Sequence, residues 1–72
     1  MRRFDSCGLY LALDRQRRQR QLSWAEVARQ TGVSVSTLRR TEQGGRMEVD
    51  GMLAMVGWLD EAVETFVKDT DW

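Results

Sequence analysis

The chain has 72 residues, 42% hydrophobic and 31% charged, which suits one small globular core and excludes a second domain, a disordered chain or a membrane-spanning helix. With no histidine and a single cysteine, Cys7, it lacks the commonest general base, most zinc sites and any intrachain disulfide; no cofactor, metal site or enzyme activity is expected, and a reducing, cytoplasmic setting is. The net charge is zero, but residues 1–46 hold ten arginines against four acids, and residues 47–72 hold Lys68 against seven acids. The basic part suits a polyanion, and arginine in place of lysine suits planar recognition of phosphate and guanine.

The pattern predicts helices and no strands. A first helix is expected over Ser6–Arg20, capped by Asp5 or Ser6, with Phe4 folding back on it and Leu9, Tyr10 and Leu13 on one side. Ser23 to Glu26 reads as a capping box opening a second helix, with Leu22 and Val27 as its hydrophobic staple and Gly32 as its left-handed end. Ser34 then caps a third helix running to about Gln43 and stopping at Gly44, with Val33 and Leu38 as a second staple. Leu38 and Thr41 face inward; Val35, Ser36, Arg39, Arg40 and Gln43 face outward, a polar, basic and acid-free surface.

A fourth helix is expected over Val49–Leu59, where Val49, Met52, Met55, Val56 and Leu59 recur at helical spacing. Gly51 and Gly57 within it imply close packing against another helix. Asp60–Val67 is expected as a short fifth helix, and Lys68–Trp72 as a loose tail. Met47, Met52 and Met55 read as packing residues, Cys7 as a small apolar helix residue, and Trp58 as buried between helices four and five or in a dimer contact.

Two helices joined by a tight turn opened by Gly32 form a helix-turn-helix, a geometry that lets its second helix enter a DNA major groove. The run from Leu22 to Gly44, with Ser23, Ala28, Gly32, Ser34, Leu38, Glu42 and Gly44 at their spacings, resembles the Cro and phage-repressor type of helix-turn-helix domain, also called the xenobiotic-response-element family. The resemblance covers about residues 9–67. It implies an all-α, lambda-repressor-like bundle of about five short helices, one domain over residues 1–72 with its helix-turn-helix core at 23–43. It also implies a sequence-specific transcriptional regulator, a repressor, that binds a double-stranded DNA operator as a homodimer through helices four and five, with no membrane partner.

Residue by residue, the resemblance places Trp24 where relatives commonly carry a phosphate-contacting Gln, and Ser34 near the backbone. It places Val35, Ser36 and Arg40 at the base-reading positions, with Thr37 and Arg39 beside them, and Gln43, Gly44 and Arg46 in the phosphate-contacting loop. Val35 can only pack on a thymine methyl; Arg39 and Arg40 can read guanine. It implies a structural ion pair between Arg17 and Glu42. Met47 stands where relatives often have Pro, and Thr41 where they have a larger apolar residue. The alternative reading is a protein-interaction module, an antitoxin or an adaptor, on the same fold.

Overall fold

The computed structural model describes residues 2–44 and 46–69. It contains four α-helices, α1 (Ser6–Gln19), α2 (Trp24–Thr31), α3 (Val35–Arg40) and α4 (Val49–Trp58). Single 3-10 turns continue α3 (Thr41–Gln43) and follow α4 (Val63–Phe66). Two short strands, β1 (Arg2–Phe4) and β2 (Val67–Asp69), pair antiparallel and bring the two ends of the described chain together.

Each of the first three helices starts on a side-chain cap. Asp5 accepts the Gly8 N–H at 3.1 Å, Ser23 the Glu26 N–H at 3.2 Å and Ser34 the Thr37 N–H at 3.2 Å. The return arm of the capping box does not form, because the Glu26 carboxylate takes the Arg29 guanidinium at 2.7 Å instead. Two helices end on residues other than glycine. Gln21 (φ 57°) and Asp60 (φ 59°) are left-handed, and behind them Leu22 N–H reaches the Arg17 carbonyl and Glu61 N–H the Val56 carbonyl, at 2.9 and 3.2 Å. These are Schellman closures made without the residue that favours them.

The core is one cluster of Leu9, Leu13, Val27, Val33, Leu38, Met55, Val56 and Phe66. Both predicted staples contribute to it, since Val27, Val33 and Leu38 are buried and Leu22 packs against them. Thr41 is buried too. Its hydroxyl bonds the Thr37 carbonyl at 3.0 Å and lies 3.8 Å from the Met55 sulfur, so a polar side chain is satisfied within the core.

Several expectations are corrected. The chain is not strand-free: Phe4 pairs with Val67, the Asp5 N–H donates to the Phe66 carbonyl, and the Phe4 and Phe66 rings lie 6.1 Å apart. The fifth helix is only a 3-10 turn, because left-handed Asp60 and extended Ala62 break the path before it and Val67 leaves it as a strand. Lys68 and Asp69 therefore belong to β2 rather than to a loose tail; Thr70–Trp72 lie outside the described residues. Apart from the chain neighbours and the local backbone of α4, no atom lies within 4 Å of a Cβ added at Gly51 or Gly57, so close packing against another helix does not explain these glycines. Val49 faces solvent. Trp58 is half-buried and ties α4 to α2, with its indole N–H donating to Gln30 Oε1 at 2.8 Å and the Arg20 guanidinium 4.7 Å from its ring.

Gly51→Ala and Gly57→Ala should each raise stability by roughly 0.5–1 kcal/mol in denaturant titrations, through backbone entropy alone. Gly32→Ala should do the opposite, because its φ of 77° is one that alanine resists. The Asp5 carboxyl is held below its ordinary value of 3.8 by the Gly8 N–H and by Lys68. The unfolded chain therefore binds this proton first as pH falls, so the cap stabilises the fold above the ordinary carboxylate range and is lost as pH drops through the lower folded value. The stability gap between wild type and Asp5→Asn should close progressively on acidification below about pH 4.

Candidate nucleic-acid interface

The turn between α2 and α3 is built by two residues. Gly32 adopts the left-handed conformation at φ 77°. Thr31 turns its hydroxyl back onto the Val27 carbonyl at 2.9 Å while accepting the Val33 N–H at 3.1 Å. This side chain replaces the backbone bonds that a sharp turn forfeits. Buried Val33 and Leu38 then fix the roll of α3 about its own axis. With Leu38 and Thr41 inward, Ser34, Val35, Ser36, Arg39, Arg40 and Gln43 are left exposed, and Thr37 half-buried, on the outer side.

The outer face begins in hydroxyls. Ser34 Oγ donates to Thr37 Oγ1 at 2.8 Å and lies 3.4 Å from Ser36 Oγ, a small network at the first turn of α3. It ends in cations. Arg39, Arg40 and Arg46 are exposed, and their guanidinium groups make no ion pair, hydrogen bond or ring contact with any described residue. Arg40 and Arg46 border one hollow with Thr37, Gln43 and Glu48, so the two cations flank a common space that one carboxylate also borders. Val35 is 37% exposed, an apolar side chain presented to solvent on this face.

The other arginines, apart from exposed Arg15 on α1, are engaged differently. Arg17 takes Asp14 at 2.7 Å, Arg18 takes the same carboxylate at 3.1 Å, and Arg29 takes Glu26. The expected Arg17–Glu42 bridge does not form. The Arg17 guanidinium is consumed by Asp14, one turn away, and by the Leu22 carbonyl at 3.0 Å, where it closes the end of α1 onto the start of α2. Glu42 is tied to α1 through its backbone instead, its carbonyl accepting the Cys7 thiol at 2.9 Å. Cys7 is exposed, not an apolar packing residue.

Trp24 also differs from its expected surroundings. Its ring stacks on Tyr10 with centroids 5.3 Å apart and planes 17° apart, and the Arg17 guanidinium lies 4.8 Å from it. The residue is half-buried between α1 and α2, so packing sets its position. The Asp14 pairings with Arg17 and Arg18 were legible as three- and four-residue helical spacings. The Thr31 clasp and the Trp58–Gln30 bond carried no comparable signal.

Residues 11–56 match a family model described as a helix-turn-helix domain. No curated protein and no solved structure matches the chain. The matched span runs from α1 through nearly all of α4 and contains both helices of the turn.

Because Asp14 serves two arginines and Glu42 none, the two acids should respond differently to neutralisation. Asp14→Asn is expected to cost about 1 kcal/mol of stability, and Glu42→Gln to stay within about 0.5 kcal/mol of wild type, in paired urea titrations.

Proposed function

The chain belongs to the helix-turn-helix domain family, and on that premise we propose that it is a transcriptional regulator, a repressor, that reads a double-stranded DNA operator with α3. The observation that carries this reading is the contrast among its arginines. Those on α1 and α2 that hold ion pairs serve the fold, and Arg15 stands alone on α1, whereas Arg39, Arg40 and Arg46 are grouped around the outer face of α3 with no ion pair to a described residue, Glu48 bordering the hollow beside Arg40 without forming one. A charge left in solvent costs little, and it is available to a polyanion without first breaking an internal pair.

In this reading α3 lies in the major groove. Arg40 and Arg39 reach guanine O6 and N7, Ser36 accepts or donates at a base edge, and Val35 packs on a thymine methyl. Ser34, Thr37, Gln43, Arg46 and the Trp24 indole N–H contact the backbone and fix register without reading sequence. A homodimer would set two copies of α3 about 34 Å apart, one turn of duplex. Val49 and Leu53, 60% and 50% exposed and one turn apart on α4, support α4 as its contact surface.

Selection of bound sequences from random duplexes should recover a pseudo-palindrome whose half-sites lie one helical turn apart. Affinity should fall steeply with salt, by a log–log slope of about 0.9 per phosphate neutralised. Arg40→Ala should relax preference at one base position at a cost of about 1–3 kcal/mol, while Arg46→Ala should weaken all sequences alike. Binding indifferent to salt, or an absence of any duplex shift together with copurification of a protein partner, would replace this reading with an interaction module.

A further inference from the structure

Three large apolar side chains away from α3 are open to solvent among the described residues: Leu11 at 63%, Val49 at 60% and Leu53 at 50%. Their surroundings carry opposite charge. Leu11, Arg15 and Arg18 follow one another at steps of four and three on α1, so they share one face. Arg15 is exposed and pairs with no described residue, and Arg18, 73% exposed, shares the Asp14 carboxylate with Arg17. Val49, Asp50 and Leu53 likewise share one side of α4, a helix that contains no cation. Asp50, and Asp60 and Glu61 just beyond the helix, are exposed and hold no ion pair with a described residue. Two cations approach the ends of α4 from other elements. Arg46 borders the hollow beside Arg40, as Glu48 does, and Arg20 covers the Trp58 ring on the side where Trp58 meets Gln30 of α2.

The two faces do not meet within one chain. α1 and α4 share the core through Leu9, Leu13, Met55 and Val56, and Leu11 and Leu53 point away from it. A second copy supplies what each face lacks, an apolar neighbour for the exposed side chains and a counter-charge for Arg15 and Asp50.

On the homodimer reading, which already sets α4 at the contact, we propose that the outer face of α4 docks on the outer face of α1 of a second copy. Laid antiparallel, Leu11 meets Leu53, and Arg15, one turn on from Leu11, meets Asp50, one turn back from Leu53. A two-fold makes this contact twice, α4 on the α1 of the second copy and α1 on its α4. Leu11, Val49 and Leu53 of both copies are then covered, and the Arg15–Asp50 pairs set orientation and register.

Sedimentation equilibrium of the whole chain without DNA tests this contact, with far-UV circular dichroism to check that each variant folds. The wild type should show a monomer–dimer equilibrium, and Leu11→Ser should weaken it about tenfold. Arg15→Glu and Asp50→Arg should each weaken it by about tenfold or more, because like charges then meet in both contacts. The double variant, and an equimolar mixture of the two single variants, should return association to within about threefold of wild type. A wild type that stays monomeric at millimolar concentration, Leu11→Ser without effect, or a double variant no better than the single ones would each overturn the proposal. Stronger association in Asp50→Arg by itself would overturn it as well, and would assign the dimer to two acidic α4 faces packed on each other. A duplex shift measured beside these separates the contact from the operator reading. Chains that remain monomeric yet bind duplex with a steep salt dependence overturn the contact and leave that reading standing; dimers that obey the charge reversal and shift no duplex support the contact and remove that reading.

Discussion

A six-residue helix does not persist in water by itself, because its nucleation cost exceeds what so few hydrogen bonds return. α3 is such a helix, and burial of Leu38 against Val27 and Val33 holds it in place. That contact fixes where α3 sits and which side it shows. Everything assigned to the outer face, from the Ser34 hydroxyl to Arg40, follows from Leu38 pointing inward. The caps and the Thr31 clasp refine this arrangement, but they contribute about 1 kcal/mol each and cannot substitute for it.

Charge is partitioned along the same line. Near α1 and α2, most arginines work as structural parts, exposed Arg15 excepted: Arg17 joins Asp14 to the Leu22 carbonyl, and Arg20 covers the Trp58 ring. Beyond Leu38 they cease to do so. Local acids account for the difference. Asp14 and Glu26 lie one turn from the arginines they neutralise, whereas Glu42 extends from a 3-10 turn where no arginine meets it. The described acids of the C-terminal part are exposed, and although Glu48 borders the hollow beside Arg40, no ion pair among the described residues draws any of them to Arg39 or Arg40.

Much of this was legible in the residues. Asp5, Ser23, Ser34 and Gly32 announce their roles because capping and left-handed turns depend on local chemistry, and Val27, Val33 and Leu38 announce theirs by spacing. What stayed hidden depends on distance or on compromise. Three-residue strands are too short to show alternation, and their pairing joins Phe4 to Val67 across almost the whole chain. Gln21 and Asp60 close helices in a conformation that glycine would signal and they do not. At the interface, the outward positions of α3 were readable from period alone. Arg17 pairs with Asp14 and not with the Glu42 that the resemblance implies, because a carboxylate one turn away on the same helix needs no tertiary closure and therefore outcompetes Glu42.

The ribbon has a consequence for how the chain can be cut and joined. Arg2 and Asp69 are cross-strand neighbours, so a linker between them need span only the ~5 Å that separates paired strands. The exposed segment around Arg46, between the 3-10 turn and α4, offers a place to open the chain instead. A circular permutant made this way keeps α1 through α3 in their present order after the linker and shifts α4 to the front. The ribbon then becomes an internal hairpin, turning the longest-range strand pairing among the described residues into one of their most local.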